Sequence, residues 1–122
     1  MPRRRKDDAA YLWDMLKASR TAQGIAIRFT REQYDADEVL RLAVERAVEI
    51  IGEAARHVSA GFKRAHPEVP WHAITAQRHV LAHEYDVIDP DHMWALISKR
   101  LSELIGALEP LVPPPPESGQ LL

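Results

Sequence analysis

The chain has 122 residues, 46 % of them hydrophobic, and its 16 Lys and Arg against 18 Asp and Glu leave a formal charge of −2, which fits one soluble domain with a single core. The absence of cysteine excludes a disulfide framework, Cys-based zinc sites and thiol nucleophiles. No apolar run reaches the 18 or so residues of a membrane span, and Arg3-Arg4-Arg5-Lys6 leads into Asp7-Asp8 rather than an apolar signal segment, so the chain reads as cytoplasmic, with no membrane partner.

Only five glycines occur, apolar spacing is periodic throughout, and no stretch alternates as a strand does, which together predict an all-α fold. The first helix starts at Asp7 or Asp8, where carboxylates suit the N-terminal dipole, and turns Leu12, Met15, Leu16 and Ser19 inward. It is expected over residues 7–20, ending before Gly24. Thr30 followed by Gln33 has the spacing of a capping box, predicting a short helix around residues 30–34.

The central helix is expected over residues 37–59. At 100° per residue, Leu40, Val44, Ala47, Ile51, Ala54 and Val58 fall within about 80° of one another, and Val39, Ala43 and Ile50 widen that stripe, so more than one helix should pack on it. A short helical turn follows near residues 61–65. Residues 67–70 should be extended, because each proline disfavours the α region for its predecessor, and a helix restarts at Pro70 or Trp71, proline being acceptable in a first turn. The last helix has the clearest start, with Asp89 as N-cap, Pro90 in the first position and Asp91 in the first turn. Over residues 90–109 it should bury Trp94, Ile97, Leu101, Leu104, Ile105 and Leu108 until the prolines from Pro110 onward stop it. Four main helices, near residues 7–20, 37–59, 71–85 and 90–109, predict an antiparallel four-helix bundle with a short extra helix. Residues 1–112 form the domain and 113–122 a Pro-rich tail outside the core.

Polar residues cluster between Trp71 and Tyr85. On an ideal helix Ile74, Arg78, Leu81 and Tyr85 share one face, and His72, Ala76, His79 and His83 the opposite one. Three readings of the histidine stripe stand side by side. It is a solvated or interface face without chemistry, a metal site in which His79 and His83 at i, i+4 need a third ligand such as His72, or an acid/base site. In the third reading, Arg78 supplies a planar donor fork for a phosphate and His83 transfers a proton. Five residues separate the two, about 140° around a straight helix, so either the helix ends near His83 or a two-fold dimer brings a second copy opposite. Near-neutral net charge argues against bulk polyanion binding but leaves room for a basic site at such a cleft. Trp13, Trp71 and Trp94 occupy helix-stripe or helix-start positions, which favours core packing over base stacking. Glu53 reads as a surface carboxylate, and the basic residues 3–6 as a solvated terminus.

The octapeptide Arg78-His79-Val80-Leu81-Ala82-His83-Glu84-Tyr85 resembles the R-x4-H-x-Y motif of the HepT-like branch of the HEPN superfamily. Ala47-Val48-Glu49-Ile50-Ile51-Gly52-Glu53-Ala54-Ala55 is similar to that family's IIGEA helix, Val69-Pro70-Trp71 to its P-W helix start, and the resemblance covers roughly residues 7–110. It implies an all-α HEPN bundle that is a homodimer with both motifs on a shared cleft. The implied activity is that of a toxin-antitoxin ribonuclease, cleaving RNA without metal or other cofactor, with Arg78 and His83 catalytic. It also implies that Tyr85 is the acceptor of AMP from a minimal nucleotidyltransferase antitoxin. His79 stands where the family usually has Asn, a polar exchange that either orients Arg78 or adds a titrating group. A catalytically silent HEPN module that holds a nucleotidyltransferase or a nucleotide is the alternative.

Overall fold

The computed structural model describes residues 7–76 and 89–113. Asp7 caps the first helix, its carboxylate accepting from the Ala10 N–H at 2.9 Å, and α1 spans Asp8–Arg28. Leu12, Met15, Leu16 and Ser19 are buried as their spacing predicts, and Ala22 and Ile25 continue the stripe. The helix therefore runs through Gly24 instead of ending before it. An interior glycine costs roughly 0.5–1 kcal/mol, less than the roughly 1.5–3 kcal/mol from burying an isoleucine side chain, and Ile25 is buried one residue further on.

The short helix α2 (Arg31–Ala36) forms on the expected capping box. The Thr30 hydroxyl accepts from the Gln33 N–H (3.1 Å), and the Gln33 side chain accepts from the Thr30 N–H (2.8 Å). α2 buries Tyr34 against Trp94, ring centres 5.4 Å apart, and that burial, reinforced by the Glu45 carboxylate, raises the phenol above its ordinary range.

Asp37 starts α3 (Glu38–His57) by accepting from the Val39 and Leu40 N–H groups. Val44, Ala47, Ile51, Ala54 and Val58 are buried, and Leu40 partly so. The stripe widens on the side opposite to the one expected. Val48, Gly52 and Ala55 are buried, whereas Val39 is 73 % exposed, Ala43 is exposed and Ile50 is only partly covered. Val48 and Ala55 lie to one side of Val44 around the helix, and Val39, Ala43 and Ile50 to the other, so the neighbouring helices close more fully over the first side.

α1 and α3 are antiparallel. Asp8, at the start of α1, accepts from the backbone N–H (2.8 Å) and the hydroxyl (2.7 Å) of Ser59, just past the end of α3. Ser59 in turn caps α4 (Ala60–Ala65). Residues 67–70, expected to be extended, instead close a turn in which the Val69 N–H donates to the His66 carbonyl (3.3 Å) and the Trp71 N–H to the Val69 carbonyl (2.8 Å). Proline at the second position pre-sets the φ that such a turn needs, and the turn lets Val69 bury to 1 % exposure. Helix α5 starts at residue 71 and is described to residue 76.

Asp89 caps α6 (Pro90–Ala95) by accepting from the Asp91 N–H at 2.9 Å. The expected single helix over 90–109 is interrupted by a π-helical turn at Leu96–Arg100, followed by α7 (Leu101–Leu108) and a 3-10 turn at Glu109–Leu111. Within the wide turn the Ser98 hydroxyl donates to the Trp94 carbonyl (2.6 Å), while Met93, Ile97, Leu101, Leu104 and Leu108 all stay buried. Trp94 and Ile105 are partly buried beside them. Bonds from Arg20 to Glu109 (2.9 Å) and from Gln23 to Ser102 (2.6 Å) make α7 antiparallel to α1, and Arg31 ties α2 to Asp91 of α6 at 2.7 Å. Among the described residues the fold is all-α, and no helix is long and apolar enough to cross a membrane.

Candidate functional site

Arg78, His79, His83 and Tyr85 lie outside the described residues, as do the basic residues 3–6 and residues 114–122 of the tail. The structure describes the platform that precedes the motif in the chain. Val69 is its plug, a valine side chain carried into the core by the turn. Trp71 is its clamp: the half-buried indole donates its N–H to the His66 carbonyl at 2.9 Å, so the first residue of α5 is tied back across the turn. Phe62 meets the Trp71 ring edge-on at 6.3 Å and the His66 ring at 4.4 Å. The Lys63 ammonium stands 6.0 Å from the centre of the indole, within cation–π range. In the first turn of α5 the Thr75 hydroxyl donates to the Trp71 carbonyl (3.1 Å).

Over its described part, α5 has the two faces read from the sequence: Ile74 packs on the core, and His72 and Ala76 are exposed. Beneath it a cleft of about 520 Å³ opens between α3, the turn, α5 and the π-helical turn. Its floor includes Val48, Ile51, Ile74 and Leu104, and Glu68, Arg100 and Glu103 supply its charge. The Glu68 carboxylate lies 3.0 Å from the His66 Nδ1. Its own backbone N–H, and then His66, hold it below the ordinary glutamate range. The described lining contains no histidine, so proton transfer near neutrality would have to come from elsewhere in the chain.

Glu53, expected to be a surface carboxylate, is 41 % exposed and bridges its own helix, accepting from Arg56 (2.9 Å) and lying 3.0 Å from the His57 Nε2. The pairing raises the Arg56 guanidinium above its ordinary range. His57 also stacks on Tyr11, ring centres 5.2 Å apart at 16°. The signal for this network was the i, i+3 and i, i+4 spacing of Arg56 and His57 from Glu53. Trp13, Trp71 and Trp94 all pack partly buried against the core, as their helical positions predict. Of the three histidines considered as metal ligands only His72 is described, and among the described residues no group of three or more His, Asp or Glu is placed to hold a metal ion.

Comparison with known proteins adds the following. The model of the family described as ribonuclease HepT-like matches residues 15–111. A probable ribonuclease HepT of Thermococcus cleftensis is 34 % identical over 111 residues, covering 91 % of this chain and 98 % of the relative. A putative RNase of Methanocaldococcus jannaschii is 31 % identical over 109 residues, covering 86 % and 96 %, and a putative RNase of Caldanaerobacter subterraneus is 38 % identical over 73 residues, covering 60 % and 65 %. No solved structure gives a significant match.

Proposed function

Since the chain belongs to the ribonuclease HepT-like family, we propose that it is an endoribonuclease whose active site is the R-x4-H-x-Y segment, residues 78–85. The observation that carries this reading is the position of that octapeptide inside the matched span of residues 15–111.

The chemistry follows from the residue types. The RNA 2′-hydroxyl attacks the adjacent phosphorus, the bond from phosphorus to the 5′-oxygen breaks, and the products are a 2′,3′-cyclic phosphate and a 5′-hydroxyl end. One proton leaves the nucleophile and one must reach the leaving oxygen, and His83, whose side-chain type titrates near neutrality, handles proton transfer. Arg78 offers the guanidinium fork to the non-bridging oxygens, where charge builds in the transition state. No step requires a metal ion. On one straight helix Arg78 and His83 would point about 140° apart, and the homodimer that the family resemblance implies, with the two motifs on a common cleft, would bring them together.

Control falls to Tyr85. A phenol with an ordinary pKa near 10 is a weak nucleophile at neutral pH, so a partner enzyme must activate it. A minimal nucleotidyltransferase that forms a bond from the Tyr85 oxygen to the α-phosphorus of ATP, releasing pyrophosphate, leaves AMP beside Arg78 and His83. Its negative phosphodiester competes for the same cation and its bulk blocks the RNA path. The protein is then the toxin of a toxin-antitoxin pair.

The test is cleavage of labelled single-stranded RNA in excess EDTA. Wild type should cleave, and Arg78→Ala and His83→Ala should each lose roughly 10²–10⁴ in rate while keeping the wild-type circular dichroism spectrum and dimeric mass. Full activity in His83→Ala overturns the assignment, and an inactive wild type favours a silent HEPN module. Co-expressed with the nucleotidyltransferase, wild type should gain the mass of AMP and Tyr85→Phe should not.

A further inference from the structure

Charge is unevenly distributed along this near-neutral chain. Residues 54–83 hold four of the 16 Lys and Arg, five of the six histidines and one of the 18 carboxylates, so this stretch carries +3 while the remainder carries −5. Its described part, residues 54–76, folds as one corner of the molecule, comprising the end of α3, then α4, the turn, and the start of α5.

Pairing within the corner identifies the charge that is available. Arg56 is taken up by Glu53, as Arg20, Arg31 and Arg46 are by Glu109, Asp35 with Asp91, and Glu49. Lys63 and Arg64, consecutive in α4, make no ion pair with a described residue. The two nearby carboxylates are otherwise engaged, Glu68 with His66 and Asp8 with the N–H and hydroxyl of Ser59. Lys63 also has a defined position, its ammonium over the Trp71 indole, and Trp71 is fixed by its bond to His66. Two consecutive cations without acidic partners among the described residues, one of them held in place, suit successive phosphates.

We infer that Lys63 and Arg64 hold the backbone of single-stranded RNA and lead it toward the motif at residues 78–85; this rests on the ribonuclease reading. Trp71 and Arg78 are seven residues apart, so whatever path the chain takes their Cα atoms lie within about 25 Å, a span that one bound strand of a few nucleotides covers. A single strand suits the corner better than a duplex, because duplex RNA is read by shape across successive grooves and needs a longer surface, whereas a strand follows a short basic track.

The test uses a fluorescein-labelled oligouridylate with 2′-O-methyl groups, which binds but cannot be cleaved, and follows its anisotropy with the full-length protein at several salt concentrations. Each phosphate contact to a single strand contributes about 0.7 to the slope of log affinity against log salt. The double variant K63Q/R64Q should therefore lose about 1.4 of that slope and bind roughly tenfold or more weakly at 0.1 M salt. The control K17Q/R46Q removes the same charge from α1 and α3, and should keep the wild-type slope. Both variants change exposed or partly exposed positions, and thermal melts check that they fold. Equal losses in the two variants, or an unchanged slope in K63Q/R64Q, overturn the proposal while leaving the ribonuclease reading intact. Polyglutamate of the same length, bound with the same salt slope, overturns RNA as the occupant. Wild type that does not bind the probe overturns this surface, and wild type that also fails to cleave RNA overturns the ribonuclease reading with it.

Discussion

Val69 and Val39 are the same residue in opposite environments, one 1 % and the other 73 % exposed, and truncating each to alanine tests how the turn and α3 pack. Val69→Ala removes two buried carbons, worth about 1.6 kcal/mol of transfer free energy at ~0.8 kcal/mol each. The hole left behind adds to that, because a closed turn between α4 and α5 relaxes only in part, which brings the expected loss to roughly 2–3 kcal/mol. Val39→Ala, in the first turn of α3, should stay within roughly 0.5 kcal/mol of wild type, since it uncovers no core and alanine is the better helix former. Urea unfolding followed by circular dichroism reads both, with an unchanged m-value confirming that stability alone has moved. Measurements at several protein concentrations separate folding from association. A loss below about 0.5 kcal/mol at Val69 refutes the plug, and a loss at Val39 matching that at Val69 refutes the view that the Val39 flank of α3 is left open.

Thr30→Ala removes the reciprocal cap of α2 and should cost about 1 kcal/mol, measured in the same urea assay, with Tyr34 on that helix transmitting the change to the core. Glu68, whose folded pKa is lowered below the ordinary 4.5 by its own backbone N–H and by His66, contributes stability that is fully present above the ordinary value and lost as the pH falls through the lowered one. The melting-temperature gap between wild type and Glu68→Gln should therefore shrink from pH 6 to pH 3, and a constant gap counts against the interaction. His79→Asn should change RNA cleavage only mildly if His79 orients Arg78, whereas a collapse as deep as that of His83→Ala would make it a second proton-transferring group.

Local signals in the sequence survived folding wherever a backbone group and its partner lay within one turn. The Asp7, Thr30, Asp37 and Asp89 caps all formed, because a carboxylate or hydroxyl two or three residues from a free N–H needs nothing from the rest of the chain. Signals that depended on a choice between two apolar surfaces did not survive. α3 carries Val39, Ala43 and Ile50 on one flank and Val48 and Ala55 on the other, and periodicity ranks them equally. Which flank is buried is decided by where α1 and the last helix pass, and those helices are placed by Asp8 on Ser59 and Arg20 on Glu109, contacts 51 and 89 residues apart. Gly24 and residues 67–70 depart from their local preferences for a related reason. A glycine disfavours a helix interior and each proline favours an extended predecessor, and burial of Ile25 and of Val69 outweighs those local preferences.

The candidate site divides along the same line. Arg78, His83 and Tyr85 are legible because a motif is a spacing of residue types, and a resemblance can be recognised from spacing alone. What fixes the start of α5 is not a spacing. Trp71 matters because its indole reaches the carbonyl of His66, and Lys63 because the turn brings its ammonium over that indole, so both roles exist only once residues 66–69 have closed. The α4–α5 corner thus joins stability to the proposed RNA contact: the turn that buries Val69 also positions Lys63 over Trp71 and sets the start of α5. A substitution that loosens this turn should therefore weaken RNA binding and lower the melting temperature together. K63Q/R64Q, which leaves the turn closed, should weaken binding alone, and a matching drop in melting temperature in that variant would sever the link.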